Sequence, residues 1–319
     1  MPIIKTLVKA TKLEKEKFTI PKSVQDAIPI QRIWPDGIFQ VGSRFSKTFS
    51  FTDINYQIAG KEDKTAMFLD YSELLNALDS GASAKITINN RKINKAEFEK
   101  SLLLPMKEDG LNHFRKEYNE MLLSKVTGTN NSVVQDRYIT ITVAKRNIDE
   151  ARTYFSRVGT DLITHLSQLS SIGRELDAGT RLQVFRDFFK GNEPAAFAFD
   201  LKEQMKKGHN FKDWLCPDSM EFQKDHFRLN DRWGRVLYLQ GYASYIKDSM
   251  IAELCDMDRS LMLSIDILPV PTDEAVREIQ NKLLGVETNA ANWQRKQNAA
   301  NNFSAVLPYD MEQQRKETK

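Results

Sequence analysis

The tightest constraint on the fold of this chain is a strand pattern that runs into a long amphipathic helix. Residues 138–143 alternate, with Ile139, Ile141 and Val143 turned inward, as a half-buried strand requires. Asn147 and Glu150 then stand three apart, the spacing at which a short polar side chain and a carboxylate cap a helix start. Behind them Ala151, Tyr154, Phe155, Val158, Leu162, Leu166 and Leu169 recur at helical spacing and form a stripe broad enough to cover one face of a sheet. A stripe of this kind is core, and it calls for a sheet layered against helices.

The same order returns later in the chain. Residues 141–151 align without a gap on residues 265–275, each reading strand, short connection and an Asp-Glu-Ala helix start. Asp149, Glu150, Asp273 and Glu274 favour the positive end of a helix dipole and need no catalytic role. The alignment suggests a duplicated strand-helix-strand-helix unit whose first copy has gained extra helices.

Between these anchors the elements can be read one after another. Pro35, Asp36 and Gly37 mark a turn between apolar pieces and predict a small hairpin. Phe45, Phe49 and Phe51 line a strand-like segment toward Ile54. From about Glu62 a helix is expected, carrying Met67, Phe68, Tyr71, Leu74, Leu75 and Leu78 and ending at Ser80-Gly81. Alternation over residues 85–88 predicts a strand, and residues 95–104 and 110–125 read as helices.

Further on, Leu182, Phe185 and Phe188 give a helical pattern, followed by a short charged helix over 201–207 and a loop-like tract. Asn230-Asp231 predicts a hairpin between residues 222–229 and 236–239. A helix over 246–257, a strand over 261–267 and a helix from Thr272 complete the second stretch. In that last helix Val276, Ile279, Leu283 and Val286 follow one another at turn spacing before the polar tract 289–302 around Trp293. The fold class expected is α+β: two strand-helix-strand-helix units with mainly antiparallel sheets covered by helices, plus a C-terminal helical arm. The expected divisions are a basic flexible tail over 1–22, a first α+β subdomain over 23–175, a second over 176–286, and a polar helical arm or linker over 287–319.

Composition narrows the function classes. With 41% hydrophobic and 28% charged residues, the 319-residue chain can bury a core and lacks the signature of disorder. The formal net charge of +3 is concentrated in residues 1–22, where six lysines face Glu14 and Glu16; the remainder is close to neutral. A folded nucleic-acid-binding domain would be expected to carry its basic surplus itself. Cys216 and Cys255 stand apart, with no CxxC spacing, which argues against a disulfide framework or a zinc ribbon. No apolar run approaches the ~18 residues of a membrane span.

The search for chemistry returns little. The Gly-Lys pair at Gly60-Lys61 is followed by Glu62, so a GxxxxGK[ST] phosphate loop is missing, and GxGxxG and GxSxG are missing too. His113, His165, His209 and His226 show no metal-binding spacing. The densest group of ligating types is His209, Cys216, Asp218, Asp225 and His226, in which Cys216 could serve as a nucleophile with either histidine; connecting-loop residues are the favoured reading. Phe211 to Trp214 and Asn292 to Lys296 mix aromatic and basic residues that could stack on bases, with core packing preferred for Trp214. No residue is therefore assigned a catalytic, cofactor-binding or metal-binding role.

Eight short segments carry a resemblance. They are SVQDAIPI (23–30), FTDINY (51–56), YSELLN (71–76), KITINN (85–90), YASYIKD (242–248), PTDEAVR (271–277), NWQRKQN (292–298) and PYDMEQQR (308–315). Together they resemble the N-terminal region of the CagE/TrbE/VirB-type, or TraE-like, ATPases of conjugation and type IV secretion, as carried by integrative elements of Gram-positive bacteria. The resemblance implies a non-catalytic docking and assembly region, peripheral to the cytoplasmic face of the membrane. Inner-membrane components of the transfer machinery, and the protein's own motor domain, would be its partners. ATP and Mg would belong to a C-terminal motor following residue 319. The alternative is a nucleic-acid-binding module that handles the transferred DNA strand.

Overall fold

The computed structural model describes residues 21–54, 56, 58–92, 103–128, 133–190, 199–241, 248–257 and 259–299. The tail over 1–22, apart from its last two residues, the greater part of the helix expected over 95–104, and the end of the arm lie outside the described residues.

The chain is α+β, with antiparallel sheets, helices packed on the main sheet and a helical C-terminal segment. A short helix α1 (Val24–Ala27) precedes the hairpin β1 (Arg32–Ile33) and β2 (Phe39–Val41). Its turn closes with Gly37 N–H donating to the Trp34 carbonyl at 3.0 Å, where the sequence places Pro-Asp-Gly. Strand β3 (Arg44–Phe51), helix α2 (Lys61–Asn76), strand β4 (Ala82–Lys92), helix α3 (Asn112–Gly128), strand β5 (Val133–Ala144) and helix α4 (Ile148–Gln168) follow.

Then come strand β6 (Gly173–Glu175), helices α5 (Ala178–Lys190), α6 (Leu201–Lys206) and α7 (Phe211–Leu215), and strands β7 (Met220–Phe222), β8 (Phe227–Leu229) and β9 (Arg232–Gly234). Helix α8 (Asp248–Cys255), strand β10 (Leu261–Ile267) and helix α9 (Thr272–Ala299) complete the order.

The main sheet runs β1-β2-β3-β5-β4-β10, with β6 also paired to β3; β7, β8 and β9 form a separate three-stranded sheet. All pairs are antiparallel. The two segments aligned in the sequence flank β4: Ile141 of β5 pairs with Ala84 and Ile265 of β10 with Ile86. Strand β10, drawn from the second stretch, thus extends the sheet built by the first.

One face of the sheet is apolar and helix-covered. Helix α4 starts where its cap predicts, with Glu150 N–H donating to Asn147 Oδ1 at 2.9 Å. All seven residues of its sequence stripe are buried, packed on Phe45, Phe49, Ile139, Ile141 and Val143. Helix α2 adds Leu74, and the turn that follows it adds Leu78. The helix's Phe68 and Tyr71 are a correction to the expected stripe: Phe68 is 63% exposed, because the side of α2 that meets the core carries Met67, Leu74 and Leu75 and leaves Phe68 and Tyr71 off it. Gly159 lets α4 approach closely, since a Cβ there would lie 3.0 Å from the Phe49 ring and 3.1 Å from the Glu175 carboxylate. That carboxylate accepts from Lys47 Nζ at 2.6 Å, which pairs a buried lysine across β3 and β6.

The opposite face is only partly covered. Over its β1-β2 end, Phe39, Ile28, Ile30, Ala178, Leu182, Trp214 and Leu215 make a second core beneath α5 and α7. The tract after α6 was expected to be loop; within it α7 forms because Asn210 caps it, accepting from Lys212 N–H at 3.0 Å, and because Trp214 and Leu215 are buried. The hairpin at Asn230-Asp231 forms with its second arm at residues 232–234, not 236–239. Arg235 Nε donates to the Asp225 carbonyl at 3.1 Å, and the chain beyond leaves the sheet with Val236, Leu237, Tyr238 and Leu239 exposed.

Candidate functional surfaces

The residue groups singled out for chemistry do not converge. His113 lies on α3 beside Phe114, His165 on α4 against Gln168, and His209 against Gln204. His226 meets Asp225 at 2.8 Å and the Trp233 ring at 5.1 Å between centroids. Asp218 faces Lys190 at 3.4 Å, and Cys216 is buried against the Val24 carbonyl. Among the described residues no group of three or more His, Cys, Asp or Glu is placed to hold a metal.

Burial pushes both thiols, Cys216 and Cys255, above the ordinary range, the opposite of what activates a nucleophile. We expect both cysteines of the native protein to react with a thiol reagent about a hundredfold more slowly than in denaturant, because modification must await local opening. Rapid stoichiometric labelling of either one under native conditions at neutral pH would contradict this placement.

The aromatic and basic segment 211–214 is structural. Trp214 is buried 5.0 Å from the Phe199 ring centroid, and Arg186 lies over it, donating to its carbonyl at 2.7 Å. Lys212 Nζ donates to the carbonyls of Gln25 and Ile28, fastening α7 to α1. Trp293 falls on α9.

Two surfaces stand out instead. The first consists of uncovered helical stripes. On α9, Val276 and Ile279 are exposed while Leu283 and Val286 are half-buried, and none of the described residues of this 28-residue helix is buried. At 1.5 Å per residue such a helix is about 42 Å long. Leu111 and, on α3, Phe114, Tyr118 and Met121 repeat the same spacing and are all exposed. Isolated exposed apolar side chains are ordinary, but a stripe at three- and four-residue intervals is the pattern by which a helix meets a partner.

The second is a groove of about 380 Å³ on the polar face of the main sheet, between α5 and strands β5, β4 and β10. Its floor is built from the outward set of the alternating strands: Thr48, Ser83, Lys85, Thr87, Tyr138, Thr140, Thr142, Ser264 and Asp266. Hydroxyls pair across the strands, Thr48 with Thr140 at 2.8 Å and Thr87 with Ser264 at 3.4 Å. Phe185, Phe188 and Phe189 of α5 form an aromatic wall, and Arg181 sits at its base.

The Arg181 guanidinium is buried, donating to the carbonyls of Gly37 and Ser46 at 2.8 and 2.6 Å and to Ser46 Oγ at 2.7 Å. It lies 4.0 Å over the Phe39 ring, and its Nε has no hydrogen-bond partner. Burial pushes its pKa down to about 9, still leaving it a cation at neutral pH. Burial also raises the Tyr138 phenol, so Tyr138 stays a neutral hydroxyl. The polar floor was legible in the strand alternation; Arg181 gave no signal, since arginine is among the residues least expected inside.

No protein-family model matches the chain, and no curated protein matches it at a significant level. Among the described residues no helix is long and apolar enough to cross a membrane.

Proposed function

We propose that this chain is a non-catalytic docking and assembly part of a conjugative-transfer machine of the type IV secretion kind, positioning an ATPase motor against membrane components on the cytoplasmic side. The observation that carries the docking reading is the pair of uncovered stripes, 276, 279, 283 and 286 on α9 and 111, 114, 118 and 121 at α3. Leaving several large apolar side chains in water on two helices is unfavourable by roughly 25 cal/mol per Å², and a partner that covers them removes that cost. The assignment to conjugation rests on the eight resembling segments, four of which map to α1, α2, β4 and the start of α9.

The test uses a donor cell whose conjugative transfer depends on this chain. Ile279→Asp combined with Leu283→Asp puts two charges into the α9 stripe without touching either core. We expect transfer frequency to fall on the order of a hundredfold and co-fractionation with the cell envelope to be lost, as when the centre of an interface is charged. Normal transfer by a variant that accumulates at wild-type level would rule the reading out.

A further inference from the structure

We propose that the groove between α5 and the polar face of the sheet is a binding site for a small organic anion with a flat apolar body. The argument starts from charge. Among the described residues, Arg181 and Lys85 bring two cations to the groove lining against the carboxylate of Asp266. Lys85 and Asp266 meet at 3.4 Å with both side chains substantially exposed, so they largely answer each other. Arg181 has only carbonyl and hydroxyl acceptors among its hydrogen bonds, and an aromatic face beneath it. A buried guanidinium without a carboxylate is costly, and an anion held in the groove beside it offsets that cost through its charge.

The groups around it fit the same ligand. The hydroxyls of Thr140, Thr142 and Tyr138 line the floor, Arg181 closes its base with an Nε that is unpartnered and sealed from solvent, and Lys85 Nζ can turn from Asp266 toward the ligand. The next charges outward are Arg91 with Asp136, an ion pair at 2.6 Å, and Asp187, which accepts from Gln183 at 2.6 Å; counted with the lining they bring the wider surroundings to neutral, so the positive balance is confined to the lining itself. Opposite the donors, Phe185 and Phe188 present ring surface, and Phe188 is exposed while stacked edge-on against Phe189 at 5.2 Å. One side of the groove thus offers hydrogen bonds to an anionic head and the other a surface for a planar body, within a volume that suits a molecule of one or two rings.

The experiment titrates the full chain with 8-anilinonaphthalene-1-sulfonate, an anion joined to a flat apolar body, and with its uncharged relative N-phenyl-1-naphthylamine. Lys85→Gln and Phe188→Ala are the variants, because both side chains are about half exposed and neither lies in a core. The sulfonate dye should bind the wild type at least about tenfold more tightly than the neutral one, since attraction to a desolvated cation beside the groove and to Lys85 separates them.

Lys85→Gln should weaken the sulfonate alone about fivefold, and Phe188→Ala should weaken both dyes by a similar factor. Displacement by benzoate or by phenyl phosphate then identifies the preferred head group. Failure of the sulfonate to bind, equal affinity for the two dyes, insensitivity to both variants, or displacement by neither competitor would each overturn the proposal. The last three would place the dye elsewhere, as on the exposed run 236–239.

Discussion

Gly37→Ala is expected to destabilise the protein by about 4 kcal/mol, one of the two largest single-residue effects the fold implies. Gly37 has φ +76°, a conformation alanine adopts at a cost of about 1 kcal/mol. The larger contribution is steric. A Cβ at this position would lie 1.9 Å from the Leu176 carbonyl oxygen and 3.0 Å from its carbon, both backbone atoms. They cannot swing aside, because Leu176 N–H is tied to the Thr48 carbonyl at 3.0 Å.

Relief therefore requires the β1-β2 turn to part from the β6-α5 connection, which should lower the unfolding temperature by roughly 10 °C. Gly42→Ala supplies the control: its φ is +58°, but nothing lies within 4 Å of the added carbon, so only about 1 kcal/mol should be lost. Thermal and urea unfolding of both variants decide the matter. Equal losses at the two positions would mean that the close approach at Gly37 is not what the chain relies on.

Arg181→Met should cost about 3 kcal/mol and reports on the same joint from the other side. Methionine replaces the apolar stem but none of the donors, so the Gly37 and Ser46 carbonyls lose their guanidinium bonds, at roughly 1–3 kcal/mol for each group left unsatisfied. Arg181→Lys keeps the charge without the planar fork that reaches both carbonyls, and should recover only about a third of the loss. Because both substitutions act on Gly37, the double variant Gly37→Ala with Arg181→Met should lose less than the sum of its parts. Urea denaturation would expose the opposite case: an Arg181→Met protein within about 0.5 kcal/mol of wild type would show the guanidinium to be dispensable.

How far the sequence announces this fold depends on element length. Helix α4 runs 21 residues, long enough for its apolar period to repeat, and its cap and stripe are readable in advance. Strand β10 and the start of α9 are readable because prolines separate them and their patterns differ in period. Strand β6 has three residues and α7 five, too short for either period to show, and both exist through contacts with distant segments. The pairing of β10 with β4 joins residues more than 160 positions apart, and local pattern carries no information about it. The groove divides in the same way. Its hydroxyl floor is the unspoken half of the alternation that marks the core, whereas its aromatic wall and its buried cation depend on where α5 docks.

That long-range pairing also sets an order of events during synthesis. Strand β4 spans eleven residues, and seven of them pair with β10. Until residue 267 has left the ribosome, that side of β4 presents free amide and carbonyl groups, with Ile86 and Ile88 among the residues awaiting their cross-strand neighbours. Loop closure over such a distance is slow compared with the formation of α4 or of the β1-β2 hairpin. Nascent or proteolysed chains ending before residue 261 are therefore the species most prone to join edge to edge with one another, and heterologous expression will be most productive where β10 is translated without delay.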